Sequence, residues 1–160
     1  MVEAMIARLA SLAVFALPSA AFAHRLDECL QSTLVVIEPA RICLKVNLTP
    51  GVAVADEMLA HIDGDRNGEI SETEVAAYAE VVKGDLSVKL DQGEIGLKLV
   101  GSDFPEVAEL RKGEGTIRLK FVAEPVRLAA GTHALAFHNR HLPGLSVYLL
   151  NAAKPKSEAI

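Results

Sequence analysis

The chain has 160 residues, of which 51% are hydrophobic, and a formal net charge of −5 at pH 7. This mildly acidic balance argues against nucleic acid or an anionic membrane surface as the partner. A chain of this length forms one domain that buries about two-thirds of its unfolded surface, so folding does not require disulfide bonds.

The first 23 residues have the features of a secretory signal peptide. Arg8 gives a weakly positive start, residues 9–17 form a short apolar run, and residues 21–23 (Ala-Phe-Ala) form a small-x-small cleavage site. The apolar run is too short to span a bilayer comfortably, and an uncleaved anchor is the alternative. We therefore expect cleavage after Ala23 and a bacterial protein that begins at His24, is periplasmic or secreted, and is peripheral to the membrane at most.

Two apolar segments near the mature start predict a β-hairpin, residues 31–37 and 41–48, turning at 38–40. In the second segment two sets of residues alternate: Ile42, Leu44, Val46 and Leu48 against Arg41, Cys43, Lys45 and Asn47. Cys43 is therefore expected on the polar face, where its thiol is either idle or paired with another chain.

The hairpin also bears on the two cysteines of the chain. A regular register places Cys43 opposite Val36 and Cys29 opposite Pro50. Seven residues of offset correspond to roughly 23 Å along a strand, whereas a disulfide requires Cα atoms within about 7 Å. An internal Cys29–Cys43 bridge would require the segment before Gln31 to fold back.

Residues 63–74 read Asp-Gly-Asp-Arg-Asn-Gly-Glu-Ile-Ser-Glu-Thr-Glu. Calcium prefers six to eight oxygen ligands at roughly 2.3–2.6 Å, and side-chain oxygens two residues apart converge only if the backbone coils around the ion. Gly68 permits the sharp turn because it lacks a Cβ. The alternative is an ordinary solvated acidic turn.

This segment resembles the calcium loop of the EF-hand family at every position which that family specifies. The resemblance implies side-chain ligands from Asp63, Asp65 and Asn67. It further implies the backbone carbonyl of Glu69, Ser71 directly or through a water, and both carboxylate oxygens of Glu74.

The flanks of the loop predict two helices within an insertion at about residues 52–84. Their apolar stripes recur at helical spacing and consist of Val54, Met58, Leu59 and Ile62, then Val75, Tyr78, Ala79 and Val82. Ser71 and Glu74 also form a capping-box signature for the second helix, and Gly84 is a plausible end for it. Glu74 is expected to hold this helix start without metal and to turn to the metal when it binds.

Further strands are predicted at residues 86–90, 95–100, 116–122, 132–138 and 145–150, each bounded by turn residues. Residues 104–112 fit either a short helix or an irregular crossover. The fold expected is mainly β, a seven-stranded immunoglobulin-like sandwich over residues 24–152, with the helix-loop-helix inserted between strands two and three. Residues 153–160 are expected to be a disordered tail.

Segments 24–28, 48–53, 137–143 and 146–149 resemble small exported bacterial proteins with one EF-hand in a β-sandwich. They are also similar to periplasmic domains fused to nickel/cobalt-type permeases. The resemblance implies an envelope protein or a metal permease as partner. Because EF-hand loops usually occur in pairs and Ile70 has no partner loop here, either the sandwich or a second copy, a homodimer, is expected to cover it.

These patterns favour a non-enzymatic protein that binds calcium at about 10⁻⁵–10⁻³ M. The chain lacks a G-x-S-x-G elbow, a phosphate-binding loop and an H-E-x-x-H motif. The alternative function is a transition-metal carrier, with a copper, nickel or cobalt site formed by His24, His138 and His141.

Overall fold

The computed structural model describes residues 27–38, 40–123 and 131–153. The expected signal peptide, His24, the turn residue Pro39 and residues 154–160 lie outside the described residues. The described chain is mainly β, with two sheets and three helices. In chain order the elements are β1 (Cys29–Glu38), β2 (Arg41–Pro50), α1 (Ala55–Leu59), α2 (Glu72–Asp85), β3 (Leu86–Leu90), β4 (Gly93–Ile95), β5 (Lys98–Asp103), α3 (Val107–Arg111), β6 (Ile117–Ala123), β7 (Leu135–Asn139) and β8 (Ser146–Ala153).

The larger sheet has the order β5-β6-β2-β1-β8 and the smaller sheet the order β4-β3-β7. All pairs are antiparallel except β1 with β8, which is parallel. The described residues thus contain eight strands rather than seven, because the single strand expected at 95–100 is divided. Ile95 ends β4 in the smaller sheet and Lys98 begins β5 in the larger one. An alternating pattern predicts extended chain but does not tell which sheet that chain joins.

The predicted β1–β2 hairpin is confirmed in its register, with Cys43 opposite Val36 and Cys29 opposite Pro50. Both cysteines are free thiols. The expectation that Cys43 is exposed is wrong, since its side chain is only 5% exposed. Cys43 lies on the outward face between two apolar neighbours, Val36 of β1 and Val122 of β6. The alternation within β2 does not reveal these neighbours, so it could not predict that the thiol is buried.

The two predicted helices occur between β2 and β3. The first is short, a single turn at Ala55–Leu59, but its predicted apolar stripe is buried, as are Tyr78, Ala79 and Val82 of α2. The expected end of α2 at Gly84 is displaced, since the helix continues to Asp85. Leu86 follows with extended backbone, φ −97° and ψ 141°, so the chain enters β3 directly and uses no left-handed glycine cap.

One cluster of buried residues joins both sheets and the helices. It includes Leu44 and Phe121 from the larger sheet, Val88 from the smaller one and Tyr78 from α2. The ambiguous stretch 104–112 contains helix α3, whose Val107 and Leu110 are also buried. Within the described residues, no helix is long and apolar enough to cross a membrane.

Candidate calcium site

The candidate site is the loop that connects α1 to α2. Its first residue, Asp63, follows the turn after α1, and the N–H of Asp63 donates to the carbonyl of Leu59 at 2.8 Å. Asp63 is 8% exposed, and Ile70 at the other side of the loop packs partly buried against the core. The protein's own core therefore contacts Ile70, which is one of the two arrangements expected for it.

Three carboxylates converge in this loop. Asp63, Asp65 and Glu74 each present an oxygen, and these oxygens all lie within 4.8 Å of one another. Like charges at this separation repel, and a divalent cation between them would relieve the repulsion. Hard oxygen donors of this kind suit calcium or magnesium rather than a soft metal.

The backbone coils around the side chain of Asp63. Its Oδ1 accepts from the N–H of Asn67 at 3.1 Å, and its Oδ2 accepts from the N–H of Gly68 at 2.9 Å. Asp65 accepts from both the N–H and the side-chain amide of Asn67, and Asn67 Oδ1 accepts from the N–H of Glu69 at 2.7 Å. The side chains at the first, third and fifth positions of the loop are thus gathered on one side of the turn.

Gly68 has φ +85°, a conformation that side chains with a Cβ rarely adopt. A Cβ built at this position would meet no atom within 4 Å. The requirement for glycine here is therefore conformational rather than a matter of space, as the sequence predicted.

Glu74 joins both ends of the loop. Its Oε1 accepts from the N–H of Gly64 at 2.7 Å, and its Oε2 accepts from the N–H and the hydroxyl of Ser71 at 2.9 and 2.7 Å. The Ser71 hydroxyl oxygen in turn accepts from the N–H of Glu74, which confirms the predicted capping box. The backbone N–H of Ser71, then its hydroxyl, hold the pKa of Glu74 below its usual range, so this carboxylate is ionised at neutral pH.

The remaining ligands inferred from the EF-hand resemblance, Glu69 and Ser71, do not belong to the group of converging carboxylates. The side chain of Glu69 is exposed, as suits a residue that would offer only its backbone carbonyl, and that role stays a prediction. Ser71 is exposed and bonded to Glu74, so a metal held by Glu74 would have Ser71 beside it.

The three histidines of the alternative site differ in placement. His24 lies outside the described residues. His138 is exposed on β7 opposite Ser87. His141 is only 1% exposed, and both of its ring nitrogens have partners, Nδ1 with Asp85 Oδ2 and Nε2 with the Tyr78 hydroxyl, each at 2.8 Å. His141 is therefore a buried structural residue rather than a free ligand.

The surroundings of His141 form a polar network that sequence reasoning missed. The backbone carbonyl of His141 accepts from Gln31 of β1 and from Tyr148 of β8, both at 2.8 Å. Its backbone N–H donates to the side-chain oxygen of Asn139 at 2.9 Å. A lone histidine in a Pro-Gly-rich segment carries no local signal of such burial, and only the tertiary contacts reveal it.

The network and the loop share one helix. Glu74 lies in the first turn of α2, whereas Tyr78 and Asp85 of the same helix hold His141. The second helix of the candidate site is thus linked through His141 to both β1 and β8, by hydrogen bonds that are buried or partly buried and that are strong when fully satisfied.

His141 predicts a pH dependence of stability. Burial lowers the pKa of His141 below its ordinary value of 6.5, and the Asp85 carboxylate opposes this only in part. As the pH falls through 6.5, the unfolded chain takes up a proton at this histidine before the folded chain does. The free energy of unfolding is therefore fully retained above pH 6.5 and declines as the pH falls from 6.5 to the lowered pKa of the folded protein. Urea unfolding between pH 7.5 and 5 should show this decline, and His141→Gln should flatten it. An equal slope in the variant would assign the decline to other groups.

Comparisons of the chain with protein-family models, with curated proteins and with solved structures found no match. Function is therefore inferred from the residues of the site alone.

Proposed function

We propose that this protein binds one calcium ion through the EF-hand-type loop at residues 63–74. The observation that supports this proposal is the convergence of Asp63, Asp65 and Glu74, whose oxygens lie within 4.8 Å of one another. The loop backbone already coils around Asp63 through the N–H groups of Asn67 and Gly68. Calcium would be held by these carboxylates together with Asn67, the Glu69 carbonyl and Ser71 or a water.

We further propose that calcium has a structural rather than a regulatory role. Opening of a calcium sensor requires its two helices to separate and expose an apolar groove rich in Met. Here α2 is fixed through Tyr78 and Asp85 to His141, and Met58 of α1 is buried against the thiol of Cys29. A single loop without a partner loop suits weak to moderate affinity, about 10⁻⁵–10⁻³ M, in a compartment where calcium is abundant.

The architecture that we propose for this function is an immunoglobulin-like sandwich with an EF-hand inserted between its second and third strands. Two observations support it: α1 and α2 lie between β2 and β3, and residues of both sheets belong to one buried cluster. The protein is proposed to be exported after cleavage following Ala23, to have no enzymatic activity, and to present its calcium-shaped surface to an envelope protein or a metal permease.

Calorimetric titration of the exported, processed protein with calcium, with a thermal melt at each end, tests this function. We expect one site and a higher melting temperature with calcium. Parallel titrations with nickel and copper address the transition-metal alternative. Heat and stabilisation from nickel or copper but none from calcium would overturn the calcium assignment.

A further inference from the structure

An apolar corner lies at one edge of the larger sheet. Among the described residues, eight large hydrophobic side chains are exposed, and five of them belong to this corner, namely Leu30 of β1 and residues 147–150 of β8. Leu149 and Leu150 are 51% and 56% exposed. The other three, Val52, Val81 and Val100, lie far apart in the sequence. Within the corner, Leu30, Val147 and Leu149 share one face of the sheet, and Tyr148 and Leu150 lie on the other, so exposed apolar side chains flank the edge strand on both faces. Scattered apolar residues are normal on protein surfaces, whereas a clustered group indicates an interaction site.

This corner is also an open strand edge. Within the described ranges β8 pairs with β1 alone, so its other side leaves backbone N–H and C=O groups without strand partners. Proteins usually protect such edges with charged residues, proline or bulges. Residues 146–153 read Ser-Val-Tyr-Leu-Leu-Asn-Ala-Ala, with no charge and no proline. Nothing in the sequence of β8 opposes pairing with another strand.

Charged groups flank this neutral strand, and their signs differ at its two ends. A pocket of about 520 Å³ adjoins the start of β8, and its lining combines apolar Leu30 and Val147 with the acidic residues Glu28 and Glu114. Directly after the other end of β8 the sequence continues Lys-Pro-Lys at residues 154–156.

We propose that two copies of this chain pair antiparallel through β8 and form a two-fold dimer with a continuous ten-stranded sheet. Antiparallel pairing brings the end of one β8 to the start of the other. Ala153, after which Lys154 and Lys156 follow in the sequence, would therefore lie beside the start of the other copy's β8, where Glu28 and Glu114 line the pocket, and the same arrangement would occur twice. Charge complementarity thus favours a second copy over an unrelated strand.

The side chains of β8 suit this pairing. The parallel register places Val147 and Leu149 on the same face as Leu30 and Ser32, so the outer face of the edge is apolar near its centre. A register with Leu149 opposite the partner's Leu149 places Val147 opposite the partner's Asn151. In this register the apolar pairs are Leu149 with Leu149 and Tyr148 with the partner's Leu150. Cross-strand apolar pairs stabilise a sheet, and main-chain hydrogen bonds supply the rest of the association.

Analytical ultracentrifugation of the exported, processed protein over a concentration series tests the proposal. We expect a reversible dimer and an association weaker by about 100-fold for Leu149→Lys, because the apolar pair is lost and two like charges would meet across the two-fold axis. Val100→Lys is the matched control, since Val100 is an exposed apolar residue of β5 at the opposite edge of the same sheet, and it should leave the dimer unchanged. A thermal melt of each variant establishes that it is folded.

A second variant tests the charged contact. Replacing Lys154 and Lys156 by Ser should weaken the dimer by about tenfold at low salt and remove most of its salt dependence. The dimer should persist when calcium is chelated, which separates this proposal from the calcium assignment.

Three results would overturn the proposal. The first is a wild-type protein that stays monomeric up to about 1 mM, which would mean that the free energy of association is weaker than about 4 kcal/mol. The second is a dimer that Leu149→Lys leaves intact. The third is a monomer whose β8 amides are protected from hydrogen exchange, which would show that another segment of the same chain covers this edge.

Discussion

Glu74→Gln should abolish calcium binding and the thermal stabilisation that calcium gives. Both oxygens of Glu74 face the loop, where Oε1 is bonded to Gly64 and Oε2 to Ser71, and the amide would remove one oxygen and the negative charge. For the wild-type protein, calcium at 100 times its dissociation constant should stabilise the fold by about 2.7 kcal/mol. Each kcal/mol of stabilisation raises the melting temperature of a domain by roughly 2–8 °C, depending on its size. Calorimetry and thermal melts with and without calcium measure both effects.

The matched control for this change is Glu72→Gln. Glu72 lies in the same first turn of α2 and is exposed, but it does not belong to the group of converging carboxylates. It should retain calcium binding within about twofold, since one more distant charge is screened by solvent. If Glu74→Gln binds calcium as well as Glu72→Gln does, the loop is not the calcium site.

His141→Ala should destabilise the fold by about 3 kcal/mol or more. The change leaves the buried Tyr78 hydroxyl without its partner and removes the ring that packs edge-on against Tyr78, with ring centroids 5.4 Å apart. An unsatisfied buried polar group costs about 1–3 kcal/mol, and the lost side chain adds a cavity. Urea unfolding followed by far-ultraviolet circular dichroism measures the effect, since the chain has no Trp.

His138→Ala provides the comparison for this change. His138 is exposed on β7, and surface substitutions usually alter stability by no more than about 0.5 kcal/mol. The same two variants bear on the transition-metal alternative, in which both histidines are ligands. Equal stability of the two variants, or a loss of copper or nickel affinity in both, would contradict the structural assignment of His141.

Much of the candidate site could be predicted from the sequence because its residues are contiguous. Ser71 and Glu74 are three residues apart, so the capping box follows from helix geometry alone. The β1–β2 register was likewise predictable, because a short hairpin connection fixes which residues face each other. The convergence of Asp63 with Glu74 is also local, since both lie within one loop.

The errors arose where a residue's environment depends on distant segments. Cys43 stands at a polar position of β2, yet its neighbour in β6 is Val122, which β2 alone does not reveal. The division of residues 95–100 between two sheets is of the same kind, because each half pairs with a strand distant in sequence.

The sequence by itself determined the acidic pattern of the loop at residues 63–74, the mainly β composition and the hairpin, since each depends on periodicity or spacing over a few residues. Only the tertiary structure decided the burial of His141 and the exposure of β8. His141 meets Gln31, which is 110 residues away, and β8 lies at an edge because, among the described strands, it pairs with β1 alone. Contacts between segments far apart in the chain follow from packing the whole chain, and no local pattern records them.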